Sequence, residues 1–582
     1  MSLLNKESLR LIKTSLLLGF IISFTPLFIF FNNHSPSLSK LSYTIGGHEA
    51  KYNYIHEINL YYTPNIFCSA ILIFLVSYLL SLGFLFIYKE AEQKNLLNKN
   101  YFMGLLGIGL MLLALVSITK NPILFMDSQS YLNISLKVQS MNLVHLSNTP
   151  SFPFLLAIFY SDLSVIVFFQ TIFSVLAWTF LGVVLASLLN SKFLKSLVVL
   201  IFILFPFTNL IWPWDYNILT ESLNLSTYAV ILGLIINLTK RYLNPLNFNI
   251  PLNYKDHILS LIAVFLIGTL FSFTRDANMI IDQIFVFYFI GIALILFFLR
   301  KITKKIKIVH FLFPAIIAII FGGIYFLHSF DLKKSPRSLV PITHGLFSIF
   351  QENTEYKQFF IDRGMPIEPF LLDLENPSAE ITWENFQKNQ DYQKWIKNDA
   401  LNEYKLFLLK HPFFVFERLK KELPYLINPL GSYGYRFSPL EIKMQNISNQ
   451  ILVGWLFKLR LLFLFGFLII SLFYLNFVQK YIQQKDDFSL RNLVLSTTII
   501  LLMIISFSQF FVAIFGDIGA EIERHSLLGR VNFWLGSIMI FFFFLDKLVS
   551  SLHPKLANFR QFPVLKNIFL WKKRIIHSFY SN

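Results

Sequence analysis

Asp127 is the first residue of the chain whose surroundings favour chemistry. It lies in the segment 122–131, just after residues 101–119, which contain no charged side chain. A chain that crosses a membrane through that apolar run would bring Asp127 to the far surface. Ser128, Tyr131 and a short apolar segment follow it, and they could remove water from the carboxylate and make it a stronger general base. The alternative for an isolated acidic residue is a solvated loop position.

Glu221, Arg275 and Arg460 are further candidates at the ends of apolar runs. Glu221 falls in the first turn of such a run, where a helix N-terminus favours an anion, either as a cap or as a functional group. Arg275 could pair with its neighbour Asp276, or it could bind a lipid phosphate. Arg460 begins a later run and has the same choice between a phosphate and simple interfacial anchoring.

The loop before the last apolar run carries Asp517, Arg524 and His525 among its charged residues. An ion-pair network that closes a helical bundle is one interpretation of this loop, and contact with substrate is the other. Asp517 and His525 could also help to hold a divalent cation, although their spacing matches no metal signature. No certain cofactor is predicted.

The composition predicts an integral membrane protein. The 582 residues are 55% hydrophobic and only 14% charged, below the roughly 25% of soluble domains, and 67 of them are phenylalanine. A net charge of +17 would suggest nucleic acid in a soluble protein, but here we expect the bilayer as the partner and no nucleic acid. The single cysteine, Cys68, excludes an intrachain disulfide.

The apolar runs predict an all-α polytopic protein with about twelve transmembrane helices. Lys and Arg cluster in alternate loops and at both ends of the chain, so both termini are expected in the cytoplasm and the candidate residues on the opposite, extracytoplasmic face. There we expect Asp127, Glu221, Arg275 and Arg524 to meet in a single pocket covered by short helices. The predicted spans are 15–31, 66–88, 102–118, 165–189, 197–212, 218–238, 258–273, 279–299, 311–327, 461–477, 493–515 and 527–545.

Five regions follow from this division. Residues 1–100 form two N-terminal spans, and 101–327 form a core whose first outer loop, 119–162, includes a short interfacial helix near 148–159. Residues 328–460 are predicted to form a mostly helical extracytoplasmic domain, in which Pro412 opens a helix. Residues 461–546 form the C-terminal spans, and 547–582 form a basic cytoplasmic tail.

Five short motifs follow one another along the chain at the predicted outer ends of the spans. They are Phe125-Met-Asp127-Ser-Gln-Ser-Tyr131, Thr149-Pro-Ser-Phe-Pro-Phe-Leu-Leu-Ala157, Leu219-Thr-Glu221-Ser-Leu223, Phe273-Thr-Arg275 and Glu521-Ile-Glu-Arg524-His525. Their order resembles the GT-C superfamily of membrane glycosyltransferases, which includes the dolichyl-phosphate-mannose protein mannosyltransferases. This chain has Asp-Ser where that family often has Asp-Glu, and two extra spans precede the family-like core, so the resemblance leaves metal use and donor class open.

The resemblance implies transfer of a sugar from a polyprenyl-phosphate donor to an acceptor hydroxyl on a glycan, lipid or protein, with Asp127 as general base and with inversion. The predicted substrate-binding residues are Tyr131, Glu221, Arg275, Arg460, Arg524 and His525, and the composition favours a bacterial inner membrane. Three alternatives stay open. One is a secondary transporter or flippase, because about twelve spans is a common transporter count. Another is a polysaccharide polymerase or ligase that relies on Arg524 and His525. The third is a non-catalytic assembly subunit, which would tolerate the loss of the Asp127 carboxylate.

Overall fold

The structure is a computed structural model of the 582-residue chain. It describes residues 41–45, 48–52, 122, 124, 126–139, 150–159, 163–208, 210–244, 254–303, 308–334, 339–352, 355–366, 390–427, 460–484, 487–517 and 520–559. The first three predicted spans, near 15–31, 66–88 and 102–118, lie outside these ranges, as does the tail beyond residue 559.

The described part of the chain is helical apart from one antiparallel hairpin, in which strand β1 pairs with β2 from Leu41 opposite Tyr52 to Ile45 opposite His48. The elements in chain order are β1 (Leu41–Ile45), β2 (His48–Tyr52), α1 (Met126–Gln139), α2 (Ser151–Ile158), α3 (Leu163–Ala186), α4 (Lys192–Leu204), α5 (Trp212–Asp215), α6 (Thr220–Leu243), α7 (Tyr254–Ser272), α8 (Asn278–Thr303), α9 (Ile308–Lys334), α10 (Val340–Glu352), α11 (Glu355–Ile361), α12 (Gln390–Trp395), α13 (Leu401–Lys410), α14 (Pro412–Ile427), α15 (Arg460–Gln484), α16 (Asp487–Gly516), α17 (Ala520–His525) and α18 (Leu527–Phe559).

Seven helices within the described residues are long and apolar enough to cross a membrane, which makes the chain an integral membrane protein. Seven of the twelve predicted spans correspond to these helices, and an eighth, near 258–273, corresponds to a shorter apolar helix over His257–Ser272. The seven segments are Val165–Ala186, Thr220–Leu243, Asn278–Phe298, His310–Leu332, Arg460–Gln483, Ser489–Gly516 and Leu527–Val549.

One end of the bundle gathers the turns that carry the candidate residues. The Ser128 hydroxyl of α1 donates a hydrogen bond to the Ile218 carbonyl at 2.8 Å, just before α6 begins. The Ser151 amide of α2 donates to the Phe273 carbonyl at 3.3 Å, just after α7 ends. We call this the site end. It unites segments from widely separated parts of the sequence.

At the opposite end of the bundle, charged side chains form hydrogen bonds with backbone carbonyls and amides. The Lys240 ammonium donates to the Ser187 carbonyl at 3.2 Å, and Arg491 donates to the Leu189 carbonyl at the same distance. Asp546 accepts from the Asn190 amide at 3.1 Å. Because these contacts lie where α3 and α6 end, both helices run in the same direction, away from the site end.

The predicted span near 197–212 is not one continuous helix, which corrects the sequence interpretation. Helix α4 has 13 residues and gives way to a 3₁₀ turn over Phe205–Phe207 and then to the four-residue α5. Pro206 and Pro213 lie at these two starts, where proline is tolerated because the first amides of a helix have no internal partner. The chain therefore returns to the site end through a broken segment.

The region predicted as a separate domain from residue 328 begins later, because α9 continues without interruption to Lys334. Its described residues are helical, as expected, and Pro412 does begin α14. The Tyr404 hydroxyl donates to the Phe515 carbonyl at 2.5 Å, so α13 contacts the end of α16 directly. The helical region after α9 therefore packs against the end of a membrane-spanning helix.

Gly345 allows the close contact between α10, α13 and the end of α16, and replacing this glycine tests that packing. A Cβ at this position of α10 would lie 2.6 Å from the Phe515 carbonyl oxygen and 2.7 Å from the Tyr404 hydroxyl. We expect Gly345→Ala to destabilise the protein by about 1–3 kcal/mol through overpacking, measured as a lower thermal unfolding midpoint in detergent.

Gly323→Ala is the matched control, since the same substitution in helix α9 meets no atom within 4 Å. It should be neutral or slightly stabilising, because alanine favours a helix more than glycine does. Equal midpoints for the two variants would contradict the close packing at Gly345.

Candidate functional site

Four charged side chains form a continuous row of ion pairs at the site end. Arg524 of α17 lies 2.7 Å from Asp127 of α1 through Nη1, and its Nε donates to Glu221 of α6 at 2.6 Å. Arg275, in the turn between α7 and α8, lies 3.4 Å from the same oxygen of Glu221. We call Asp127, Arg524, Glu221 and Arg275 the ion-pair row. The structure thus brings together the four residues that were expected to meet, although they come from distant parts of the sequence.

Glu221 is the innermost member of the row, with no exposed side-chain surface. It occupies the first turn of α6, where the partial positive charge of the helix N-terminus favours a carboxylate. Two guanidinium groups reach it from different segments. A buried carboxylate is tolerated only when it is paired and hydrogen-bonded, and both conditions are met here.

Asp127 is the outermost member of the row, and 49% of its side chain is exposed. Its backbone position is fixed by its neighbour Ser128, which is fully buried and bonded to the Ile218 carbonyl. The predicted desolvation of Asp127 is therefore only partial. One oxygen is engaged by Arg524, while the open half of the side chain can be reached from outside.

Tyr131, one helical turn after Asp127, adjoins the row. Burial raises the pKa of its phenol to about 12, and the negative charges of Asp127 and Glu221 add to this effect. Its ring packs edge-on against Phe152 of α2, with centroids 5.5 Å apart. The predicted short helix near 148–159 is thus present as α2, and Tyr131 is held there as a neutral hydrogen-bond donor.

His525 does not join the row, although it follows Arg524. Its Nδ1 lies 2.7 Å from one carboxylate oxygen of Asp517, while His344 of α10 lies 3.8 Å from the other oxygen. Burial raises the pKa of Asp517, but the two histidines that face it outweigh burial and hold this pKa below its usual range. The group links the helical region after α9 to the loop that carries Arg524.

A divalent cation at Asp517 and His525 was one possibility from the sequence. In the structure both carboxylate oxygens of Asp517 face histidine nitrogens. Among the described residues, no group of three or more His, Cys, Asp or Glu side chains could hold a metal ion.

Arg460 begins α15, with an exposed side chain. The other end of α15 carries Tyr481, whose hydroxyl donates to the Leu243 carbonyl at the end of α6. Arg460 therefore belongs to the site end of the bundle. The carboxylates of the row are paired with Arg524 and Arg275, and Arg460 takes no part in these pairs.

A buried acid, Asp215, lies behind the row and was not predicted as a site residue. It ends α5, is 1% exposed, and accepts a hydrogen bond from Ser222 at 2.6 Å. Burial raises the pKa of Asp215 to about 8 against the opposing effect of that hydrogen bond. The sequence did carry a signal, since Asp215 lies between tryptophan and tyrosine in a proline-containing corner. His344 carried no such signal, because its partner is distant in the chain.

Comparisons of the chain with protein-family models, with curated proteins and with solved structures give no match.

The first prediction for this site concerns Glu221. Glu221→Gln leaves Arg275 and Arg524, each with only 12% of its side chain exposed, without their buried counter-charge. We expect a loss of about 3–5 kcal/mol in stability, seen as a lower unfolding midpoint in detergent. Glu417→Gln is the control, because Glu417 is 67% exposed and its pair with Lys420 lies on the surface of the same helix. It should cost less than about 0.5 kcal/mol. Similar losses in both variants would argue against a buried ion-pair row.

The second prediction concerns the pH dependence of the protein's stability that follows from the buried Asp215 carboxyl. Because its pKa is about 8 when folded and about 3.8 otherwise, the folded protein holds a proton that the unfolded chain releases. This contribution to stability is complete below the unfolded pKa of 3.8, falls as the pH rises from there, and is lost once the pH passes the folded pKa of about 8. Asn resembles the protonated acid in shape. Asp215→Asn should therefore exceed the wild type in unfolding midpoint by a small margin at pH 5 and by a larger margin at pH 9. A constant difference between the two proteins at both pH values would contradict the protonated state.

Proposed function

We propose that the protein is a membrane glycosyltransferase of GT-C type, which moves a sugar from a polyprenyl-phosphate donor to an acceptor hydroxyl and inverts the anomeric configuration. The ion-pair row is the observation that supports this proposal most directly. It combines a reachable carboxylate with two guanidinium groups at one end of a membrane-spanning bundle. A lipid-linked sugar phosphate needs both kinds of group at a membrane surface.

The donor phosphate would bind Arg524 and Arg275. Guanidinium groups suit phosphates because their N–H donors match two phosphate oxygens at once. Glu221 holds both guanidiniums in position from the buried side and leaves 12% of each side chain exposed. Tyr131 would add a neutral donor, and Arg460 and His525 are further contacts of the proposal at the same end of the bundle.

Asp127 would act as the general base. In the free protein the Asp127 carboxylate forms an ion pair with Arg524. A donor phosphate that binds Arg524 would compete for this guanidinium and free the carboxylate. Asp127 would then take the proton of the acceptor hydroxyl while that oxygen bonds to the anomeric carbon. The bond from this carbon to the phosphate oxygen breaks with its electron pair on the phosphate. Polyprenyl phosphate leaves, and Arg275 and Arg524 stabilise its charge.

The orientation of the bundle supports an extracytoplasmic site. Lys240, Arg241, Arg300 and Lys301 lie in the last turns of α6 and α8, which both begin at the site end. By the positive-inside rule, that basic end faces the cytoplasm and the ion-pair row faces the other side. The proposal includes cytoplasmic termini and, from composition, a bacterial inner membrane.

Transfer by the Asp127→Asn variant tests the proposal. The purified protein in vesicles would receive a panel of polyprenyl-phosphate sugars and candidate acceptors. We expect product with the wild type and a loss of at least about 100-fold in the variant, because the amide takes no proton. Asp276→Asn is the control, since Asp276 lies near His328 at 3.4 Å and outside the row. It should keep its activity. Full transfer by Asp127→Asn would contradict the mechanism.

A binding measurement tests recognition of the lipid phosphate separately from the catalytic role of Asp127. Wild type and Asp127→Asn should both bind polyprenyl phosphate, measured by native mass spectrometry, and neither should bind polyprenol, which lacks the phosphate. Arg275→Gln should weaken this binding. Equal binding of the two lipids would show that the phosphate is not recognised.

A transporter or flippase is the second candidate, and the broken segment from α4 to α5 favours it. Discontinuous helices with buried ionisable groups are common at transporter binding sites, and Asp215 lies in such a segment. Uptake or lipid flipping in vesicles without sugar transfer would decide for this candidate. A polymerase or ligase would instead lose activity with Arg524 and His525 substitutions and tolerate Asp127→Asn.

A further inference from the structure

Three large apolar side chains lie exposed where helix α13 ends and helix α14 begins. The exposed fractions are 79% for Leu409, 83% for Phe413 and 61% for Phe416. Phe413 and Phe416 are three residues apart, which places them on one side of α14, and Leu409 lies in the last turn of α13, just before the break at His411. We call Leu409, Phe413 and Phe416 the Phe413 patch. The proposed transfer reaction makes no use of it.

The opposite side of α14 fixes the height of this patch relative to the spanning helices. The Phe414 ring lies 6.5 Å from the ring of Phe515, near the end of α16. Arg418 is buried, donates to the Asp517 carbonyl at 3.5 Å and also bonds the Ser348 hydroxyl. The apolar span of α16 ends at Gly516. Helix α14 therefore lies beside the end of a candidate span, which is where we expect the surface of the bilayer.

Lysines border the patch. Lys410 ends α13, and Lys420 and Lys421 lie on the exposed surface of α14, where Lys420 also pairs with Glu417 at 3.6 Å. Helices that lie in a bilayer surface combine large apolar side chains on one side with Lys or Arg beside them. The apolar groups enter the boundary between headgroups and acyl chains, and the ammonium groups reach the lipid phosphates.

We propose that the Phe413 patch is a membrane-docking surface, which inserts into the headgroup boundary of the bilayer that the protein spans. The position of α14 at the end of α16, the exposed phenylalanines and the bordering lysines all point to phospholipid as the occupant. This contact would hold the helical region after α9 against the membrane. It is independent of the proposed sugar transfer, and each can fail without the other.

Spin-label accessibility in lipid vesicles tests the docking. Cys68 is the only cysteine, so Cys68→Ser gives a background in which Phe413→Cys and Phe416→Cys each carry one nitroxide. Asn398→Cys is the control, because Asn398 is an exposed polar residue in the same helical region. Oxygen concentrates in lipid, and a neutral nickel chelate stays in water. Labels at 413 and 416 should therefore favour collision with oxygen several-fold more than the label at 398.

Two results would overturn the proposal. Labels at 413 and 416 that collide with the nickel chelate as often as the label at 398 would show a surface open to water. Labels that are shielded from both reagents would show that protein covers the patch, either another segment of this chain or a second copy.

Discussion

The buried carboxylate of Glu221 is the constraint on which the site end depends. A charge without solvent exposure must be neutralised and hydrogen-bonded in place, and Glu221 meets this need with two arginines from different segments. The turn after α7 and helix α17 are consequently tied to the N-terminus of α6. Through Arg524 the same constraint extends to Asp127 on α1. A single buried anion thus links four segments of the chain. At the outer end of the row the carboxylate of Asp127 is half-exposed.

The two ends of the bundle use charge in different ways. At the site end, acidic and basic side chains pair with one another and form a compact, nearly neutral group. At the opposite end, Lys240 and Arg491 instead donate to backbone carbonyls near the end of α3, and Asp546 accepts from backbone amides at the start of α4. These contacts satisfy backbone groups that a helix end leaves without internal partners. The basic end is therefore structural, and the chemically diverse groups lie at the other.

Asp517 connects the ion-pair row to the region seated on the spanning helices. Its carboxylate faces His344 of α10 and His525 of α17, and its backbone carbonyl accepts from Arg418 of α14. His525 is adjacent to Arg524, so a movement of α10 or α14 would reach the row through one short loop.

The membrane class, seven of the long apolar helices and the meeting of Asp127, Glu221, Arg275 and Arg524 at one site could be predicted from the sequence, because long apolar runs and charges at their ends are local features. The short helix α2 and the start of α14 at Pro412 were local features too. Tertiary structure alone decided how the four residues pair, with Arg524 between Asp127 and a fully buried Glu221, since Arg524 lies 303 positions from Glu221 along the chain. It also decided that the run near 197–212 breaks before α5, that Asp215 is buried and that His344 faces Asp517. Burial and pairing depend on which helices pack together, and no local pattern in the chain contains that information.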